Sequence, residues 1–415
     1  MTKTKWGAII PLIGGFPLGA QRLFKTLPEF ILSYPAFEYN DNFYLRYLKK
    51  KGWKGQYIVL DPETNEPING EKCPYADIMV GTPPCSGLSM ANISGDRGSD
   101  SKTNNWIYLS IDAVNKLVKP KVFIFENAPG LYTSVGAGVR DKLHKIVTER
   151  NQSITFFKTN SLLHGLPQKR ERTFALIWNS PKCPILDYVK KEQPDPIEYL
   201  KIVEPLLDKK EVKNQKKRLK DNLDFQYMKS KGMTYDDMQD INIIGSTGII
   251  IEKFGYEDVL DYYVKKGADI NKLNDRDRCQ YTGELKKWLH FQTKNRDGKG
   301  FWDTPILFMR DRKIWNTLFH RTIGCYTHPI EERYLTPIEI IHLMGMPSDF
   351  DTTEVPYYVI GQNVPSYTAA DMIELTLPFI KGEGNFLDSN NYNYVMQNNK
   401  NKNVDYINYG ATKLF

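Results

Sequence analysis

Short apolar runs alternate with longer amphipathic stretches through the first half of this sequence, and this alternation restricts the fold more than any other feature. Ala8–Ile10 is the first apolar run, and Val122–Phe125 and Phe174–Trp178 are later ones. A helical pattern over Trp106–Leu117 ends shortly before the second of these runs. Strands joined by crossover helices produce this pattern. The sequence therefore predicts an α/β fold with a mostly parallel, doubly wound sheet.

The chain is longer than one ordinary hydrophobic core requires, so we expect one large and one smaller domain. The alternation is lost and the charge rises over residues 181–332. Regular pattern returns with a capped helix start, Thr336-Pro337-Ile338-Glu339. We expect a large domain over residues 1–180, completed by a return segment over 333–385. The tail, residues 386–415, is rich in Asn and Tyr, and we expect it to be disordered or loosely packed.

The composition favours a soluble, intracellular protein. Hydrophobic residues make up 41% of the chain, which supports a packed interior. No run approaches the roughly 18 apolar residues that a membrane-spanning helix needs, and the N-terminus lacks a signal-peptide pattern. We therefore expect a cytoplasmic protein with no membrane partner.

The formal net charge of +7 and the isoelectric point near 8.8 are compatible with a nucleic-acid partner but do not require one. Within residues 209–220 only Glu211 is acidic, whereas the basic residues are Lys209, Lys210, Lys213, Lys216, Lys217, Arg218 and Lys220. A solvated helix face and a phosphate-contacting surface are equal alternatives for this segment. Residues 310–321 interleave aromatic and basic side chains, which favours a surface that faces a nucleic-acid groove.

The cysteines argue against structural cross-links. They are five in number, which is odd, and none forms a Cys-x-x-Cys pair, so we expect neither a disulfide framework nor a metal site. We expect four of them to be small packing or surface residues: Cys73, Cys183, Cys279 and Cys325.

Cys85 differs from the others because it follows Pro83 and Pro84 at the end of an apolar run and precedes small polar residues. A cysteine at the tip of a buried strand is placed to attack a substrate. Glu126 and Asn127 end the apolar run that begins at Val122. If the two strands are parallel neighbours, Glu126 lies beside the thiol. This pairing indicates covalent catalysis with an acid partner.

Four stretches together are similar to the DNA (cytosine-5) methyltransferase family, and they occur in the family's order. They are Gly81-Thr82-Pro83-Pro84-Cys85, Phe125-Glu126-Asn127, Gln168-Lys169-Arg170-Glu171-Arg172, and Leu335–Phe350 followed by Gly361-Gln362-Asn363-Val364-Pro365. The resemblance implies a Rossmann-like catalytic domain over residues 1–180 and 333–385. It also implies a smaller target-recognition domain over 181–332.

The resemblance further implies a role for each motif residue. The Cys85 thiolate would add to carbon 6 of cytosine and make carbon 5 reactive. Glu126 would protonate or hydrogen-bond ring nitrogen 3, and Asn127 would position Glu126. Arg172 would hold the exocyclic oxygen of the base, and Arg170 would orient its neighbours. No side chain is an obvious base for the later removal of the carbon 5 proton, and water is the alternative.

The family uses S-adenosyl-L-methionine as methyl donor. Ile13-Gly14-Gly15-Phe16 would be the glycine-rich turn, where a bare backbone lets the methionine part of the donor approach. A glycine turn that serves packing alone is the alternative. The sequence also departs from the family, whose usual pattern would place Phe at Ile10 and Gly at Leu12.

Other donor contacts follow from the same resemblance. Glu38 would bind the ribose hydroxyls, with Asp41 as the rival residue, and Asp61 would contact the adenine amino group. A solvated carboxylate at the end of a strand is the alternative for each. Asn363 and Val364 would return to the donor pocket.

A duplex buries the target carbons, so the base must be flipped out of the stack at a cost of a few kcal/mol. The Ser- and Gly-rich stretch Ser86–Asn105 resembles the family's mobile active-site loop. In that reading Ser86, Ser89, Ser94 and Arg97 contact DNA. An ordinary surface loop is the alternative.

The implied partner is double-stranded DNA, bound by a monomer in a cleft between the two domains. A bacterial or viral origin and association with the nucleoid would follow, and a cognate restriction endonuclease is a further partner that the resemblance allows. Three alternatives stay open: a transfer RNA cytosine-5 methyltransferase, a DNA-binding relative that no longer transfers methyl groups, and a nicotinamide-dependent enzyme. The last leaves Cys85 and the arginine run unexplained.

Overall fold

The computed structural model describes residues 4–89, 92, 96–222, 225–226, 229, 232, 234–236, 313–318, 323–382 and 393–406. The chain divides into two compact units, one formed by residues 1–194 with 341–415 and the other by residues 195–340. Cys279 and half of the basic and aromatic stretch 310–321 lie outside the described ranges. Within those ranges no helix is long and apolar enough to cross a membrane.

Strands and helices alternate along the described part of the first unit, as the sequence predicts. The strands of both units are β1 (Trp6–Ile9), β2 (Phe30–Ser33), β3 (Gln56–Val59), β4 (Ile78–Gly81), β5 (Val122–Asn127), β6 (Ser153–Asn160), β7 (Gln168–Lys169), β8 (Glu171–Trp178), β9 (Trp315–Asn316), β10 (Tyr394–Asn398) and β11 (Asn403–Tyr406). The α-helices are α1 (Gly15–Phe24), α2 (Glu38–Lys50), α3 (Asn105–Leu117), α4 (Ala137–Glu149), α5 (Pro196–Lys201), α6 (Lys209–Lys220), α7 (Pro337–Leu343), α8 (Tyr357–Gln362), α9 (Ser366–Glu374) and α10 (Leu377–Ile380).

The described residues of the first unit contain one nine-stranded sheet in the order β11-β10-β6-β8-β5-β4-β1-β2-β3. The run β3-β2-β1-β4-β5 is parallel, and β10 is parallel to β6. Only β8 and β11 run antiparallel to their neighbours in this sheet. The predicted mostly parallel α/β sheet is therefore confirmed. Its order reverses between β1 and β4, which is where such sheets bind ligands.

Helices cover both faces of the sheet. Met79, Phe123 and Ile177 lie in one row across β4, β5 and β8, and they join apolar residues of α3 and α4 in one buried cluster. Side chains alternate between faces along a strand, so Phe174 points the other way. There it packs edge to face on Phe16 of α1, with ring centres 5.6 Å apart. The sheet is thus doubly wound.

The expectation of a disordered tail is wrong for β10 and β11, which extend the sheet beyond β6. Two polar side chains, Gln397 in β10 and Asn399 just after it, make specific bonds instead of remaining solvated. Gln397 accepts from Leu186 N (2.8 Å) and donates to Leu186 O (2.9 Å). Asn399 does the same with Val189, at 2.9 and 3.0 Å. Two side-chain amides therefore replace the backbone partners that the segment before residue 194 lacks.

These bonds also explain why the first unit extends to residue 194 and not only to 180, because the segment that contains Leu186 and Val189 is fastened to the tail. The second boundary falls at residue 341, inside α7, and not at 333. One half of the predicted capping box of α7 is present, the bond from Thr336 N to the Glu339 carboxylate. Glu339 accepts from Thr336 N (2.7 Å) and Oγ1 (2.9 Å), and the buried Arg333 donates to both carboxylate oxygens of Glu339.

Helices α1 and α9 cross closely at Gly19. A Cβ atom at this position would lie 2.6 Å from Cβ of Ala369 and 2.7 Å from N of Ala370. Real Cβ contacts are much longer, so a side chain here must push the helices apart. Gly19 is therefore required by packing.

We expect Gly19→Ala to lower the free energy of unfolding by about 1–3 kcal/mol, because overpacking outweighs the gain in helix propensity. Urea unfolding measures the change. Ala369→Gly removes one of the two colliding methyl groups, so the double variant should lose less stability than the two single variants together. Strict additivity would contradict the close contact.

Candidate active site

The reactive residues follow the carboxyl ends of β4 and β5. Gly81, the last residue of β4, pairs with Phe125 of β5 in a parallel ladder. The expectation that these strands are parallel neighbours is confirmed. Because the ladder is parallel, the segment that leads to Cys85 starts beside Glu126 at the same edge of the sheet.

The antiparallel strand β8 brings an arginine to this edge. Its amino end lies where the parallel strands have their carboxyl ends, and Phe174 is directly opposite Glu126. Arg172 stands two residues before Phe174, so its side chain is on the same face and diagonal to Glu126. The Arg172 Nε atom lies 2.5 Å from Glu126 Oε1, and the side chains are 13% and 3% exposed. Arg172 Nη1 donates to Glu171 O (2.7 Å).

The pKa values of the Cys85 thiol and the Glu126 carboxyl group are both raised, which favours the neutral form of each group. Burial raises the pKa of Cys85 above its ordinary value, and the charge of Glu126 raises it further, whereas Arg172 and Arg170 lower it. Burial also raises the pKa of Glu126, against the opposing effect of the same two arginines. A neutral thiol and a protonatable carboxyl group under two guanidinium groups form a site that can become charged when a substrate arrives.

Arg170 braces the site from behind. It is 1% exposed, and its Nη2 atom donates to the carbonyl oxygens of Gly361 (2.9 Å) and Asn363 (2.7 Å). Asn127 is also buried, and its Oδ1 accepts from the backbone N of Ala128 (2.9 Å). Both side chains thus fix backbone next to the reactive groups.

The glycine-rich turn after β1 meets the segment that Arg170 holds. Gly15 N donates to Asn363 Oδ1 (2.8 Å), and a Cβ at Gly15 would lie 2.1 Å from the carbonyl oxygen of Val364. A Cβ at Gly14 would lie 2.3 Å from the ring of Tyr44. The space that a Cβ atom would occupy at either glycine is already filled by other protein atoms, so packing is sufficient to require glycine at both positions.

The side chains that flank these glycines, Ile13 and Phe16, are fully buried in the core. Ile10 and Leu12, the two departures from the family pattern, have φ angles of 48° and 52°. This left-handed backbone costs an ordinary side chain about 1 kcal/mol, and a β-branched residue adopts it rarely. A glycine at position 12 would adopt it without that penalty.

Asp41 holds the strained turn, a role that sequence reasoning missed. Its carboxylate accepts from Leu12 N (2.9 Å), from Tyr57 OH (3.0 Å) and from the hydroxyl of Ser33. Asp41 is 0% exposed, which excludes it as a ribose ligand. A polar residue inside the otherwise apolar face of α2 was the only available signal.

The other two carboxylates that we expect to bind the methyl donor, Glu38 and Asp61, lie near the edge of the sheet where the parallel strands end. Glu38 is exposed at the first residue of α2, after β2, and no described residue pairs with it. Asp61 follows β3, and its Oδ1 accepts from Glu63 N (2.7 Å) and Thr64 N (3.3 Å), which closes a turn. Glu38 is therefore available for a ligand, whereas Asp61 already has a local structural role.

The loop after Cys85 is anchored at its far end. Ser86 and Arg97 are exposed, Ser89 is half-buried, and Ser94 lies outside the described residues. Ser99 Oγ donates to Val135 O (3.0 Å) and accepts from Gly138 N (3.1 Å).

A family model described as C-5 cytosine-specific DNA methylase matches residues 13–374. This chain belongs to the C-5 cytosine-specific DNA methylase family. The matched range includes Cys85, Glu126 and Arg172, so the residues that cluster at the sheet edge fall within it.

Relatives of this methylase chain include the type II methyltransferase M.AplI of Arthrospira platensis, 31% identical over 186 residues. That match covers 42% of this chain and 46% of the relative, so it spans less than half of each. A DNA (cytosine-5)-methyltransferase of Dictyostelium discoideum is 22% identical over 357 residues, 82% of this chain and 86% of that protein. The solved structure of the Entamoeba histolytica methyltransferase EhMeth shares the fold, with a TM-score of 0.52, 15% identity and coverage of 92% and 99%.

S-adenosylmethionine is the methyl donor of this family. The residues at the carboxyl edge of β1 and β2 fit such a group, because the Glu38 carboxylate pairs with no described residue and the edge lies at the reversal of strand order. The missing side chains of Gly14 and Gly15 leave no space for S-adenosylmethionine, because protein atoms occupy the positions where their Cβ atoms would be.

The buried carboxyl group of Asp41 should make the stability of the fold depend on pH. Burial raises the pKa of Asp41 from 3.8 to about 7 in the folded protein, despite its three hydrogen-bond donors. The folded state thus holds a proton that the unfolded state releases, so this contribution to stability is present below about pH 4 and is lost as the pH rises through 7. The effect is on the order of 4 kcal/mol.

We expect Asp41→Asn to remove this pH dependence. Relative to the wild type, the variant should gain stability between pH 5 and pH 8, by a few kcal/mol. Chemical unfolding at both pH values measures the difference. A gap between variant and wild type that is the same at both pH values would show that Asp41 is already ionised at pH 5.

Proposed function

We propose that this protein transfers a methyl group from S-adenosylmethionine to carbon 5 of a cytosine flipped out of duplex DNA, through a covalent bond to Cys85. The observation that carries the proposal is the convergence of Cys85, Glu126 and Arg172 at one edge of the sheet. The family match and the resemblance of the motif residues support it.

Cys85 begins the reaction. The sulfur forms a bond to carbon 6, and the electron pair of the 5,6 double bond shifts to carbon 5 and, by conjugation, toward ring nitrogen 3, which makes carbon 5 nucleophilic. Because the pKa of Cys85 is raised, the thiol has to lose its proton, to a water molecule, as it attacks. The positive charges of Arg172 and Arg170 favour the thiolate at that moment.

Glu126 acts as the acid, whereas Cys85 acts as the nucleophile. Negative charge develops at ring nitrogen 3 during the addition, and a protonated Glu126 neutralises it by donating a proton. Burial raises the pKa of Glu126 above its ordinary value, against the lowering effect of the two arginines, and Arg172 fixes the orientation of the carboxyl group. Arg172 Nη2 has no hydrogen-bond partner among the described residues and would hold the exocyclic oxygen of the base.

Glu38, Asp61 and the backbone after β1 would hold the donor, with Asn363 behind the turn. Bound there, S-adenosylmethionine supplies an electrophilic methyl group. After methylation, carbon 5 loses its proton to water, the 5,6 double bond forms again, and the Cys85 thiolate leaves. Cys85 is thereby restored for the next cycle.

The first test is transfer of labelled methyl groups to unmodified duplex DNA, followed by single-base mapping of 5-methylcytosine. We expect label in one sequence context, at least 10³-fold lower transfer by Cys85→Ala, and unchanged transfer by Cys73→Ala. Cys73 is a matched control, since burial raises the pKa of its thiol to about 12 and keeps it unreactive.

Label on transfer RNA and none on DNA would replace the proposed substrate. Binding of DNA by the folded wild type without transfer to either would favour a relative that has lost activity. Protection of the mapped sites from a nuclease encoded beside this chain would identify a cognate restriction endonuclease. Mass measurement of the complex tests the expected monomer on DNA.

A second prediction concerns Glu126. The wild-type rate should rise with pH as Cys85 loses its proton, and it should fall where Glu126 is no longer protonated. Glu126→Gln keeps a hydrogen-bond donor but transfers no proton, so we expect a loss of about 10²–10⁴-fold.

In single-turnover measurements the residual rate of Glu126→Gln should no longer fall on the alkaline side. A variant that retains the alkaline limb would assign that limb to another group. Folding of the variant is checked by its unfolding midpoint.

A further inference from the structure

Helix α6 of the second unit carries a one-sided stripe of lysines. Successive residues of an α-helix are 100° apart, so Lys209, Lys213, Lys216 and Lys220 fall within about 60° of one another. Lys217 and Lys210 extend the same face. The buried residues of the helix, Gln215 and Leu219, are on the opposite side. The lysine stripe, defined as these six lysines, is therefore the outer face of a helix that is packed on its inner face.

The inner face is fixed by contacts within the second unit. Arg218 donates to Gly324 O (3.2 Å) and lies 5.3 Å from the ring centre of Tyr334. Lys216, at the margin of the stripe, pairs with Glu331 at 3.3 Å. The packing thus determines which side of α6 faces outward.

The rest of the stripe lacks acidic partners. Lys209, Lys210, Lys213, Lys217 and Lys220 are exposed, and none is within 4.0 Å of a carboxylate among the described residues. Some exposed lysines elsewhere are paired with acids, as Lys201 is with Glu198 at 2.6 Å. The positive charge of α6 is therefore not balanced by its own surroundings.

Repulsion within the stripe works against the helix. Like charges four residues apart repel each other, and the pairs Lys209 with Lys213 and Lys213 with Lys217 have that spacing. The helix dipole adds no clear penalty, because Asp208 and Glu211 accompany the lysines of the first turn and the lysines of the last turn are favourably placed. A polyanion that neutralises the stripe would remove the repulsion between its lysines.

We propose that the lysine stripe of α6 contacts the phosphate backbone of duplex DNA without reading its sequence. The stripe spans eleven residue steps, about 17 Å, the length of about five base pairs. Lysines on flexible stems suit phosphates, which carry no base information, and they lack the planar fork that reads guanine. This inference rests on the proposed action on DNA.

The test is equilibrium binding of the full chain to a 30-base-pair duplex over a series of salt concentrations. Each lost phosphate contact lowers the slope of log K against log salt by roughly 0.9. The variant Lys213→Gln, Lys217→Gln, Lys220→Gln should lower the slope by about 2.7, equally for duplexes with and without the methylated sequence. Its unfolding midpoint should be unchanged or raised, because repulsion within α6 is relieved.

The matched control removes the same charge from paired lysines: Lys145→Gln, Lys201→Gln, Lys229→Gln. This control should keep the wild-type slope. An equal effect in both triple variants would overturn the stripe as a contact, because net charge alone would explain it. An unchanged slope in the stripe variant would also overturn it, while methyl transfer to DNA by the wild type would leave the proposed function standing. A slope that falls on RNA and not on duplex DNA would overturn both.

Discussion

The ion pair between Arg172 and Glu126 is the interaction on which the active site depends. It exists because one strand, β8, runs against its neighbours and delivers its first residues to the edge where the other strands end. A fully parallel sheet would place an arginine at this point of the chain on the opposite edge. The antiparallel strand thus adds an arginine to an edge where two parallel strands already place an acid beside a thiol.

A second set of contacts joins this ion pair to the glycine turn after β1, where we expect the methyl donor to bind. Arg170 donates hydrogen bonds to the carbonyl groups of Gly361 and Asn363. The Asn363 side-chain oxygen in turn accepts a hydrogen bond from Gly15 N. The chain from the arginine run to the glycine turn is therefore continuous and buried. A change in the return segment would reach both halves of the site, although that segment is separated from the first strands by more than 300 residues.

Local pattern was sufficient to predict the sheet, the helix start at Thr336 and the proximity of Cys85 to Glu126. Each of these depends on strand order and on residues close in sequence. The tail strand was missed because its pairing with β6 and the bonds of Gln397 have no local signal. Likewise, the partners of Asp41 come from three separate elements. Whether the other site residues act as proposed depends on ligands and not on the fold.

The position of β10 has a consequence for synthesis of the chain. Strand β6 is the edge of the sheet until β10 covers it, and β10 emerges only after the whole second unit has been made. A ribosome-bound chain that has completed β8 therefore displays an unpaired edge, with the apolar residues of β6 alongside. During that interval the nascent protein is open to pairing with another chain, and a chaperone or rapid folding of the second unit would have to bridge it.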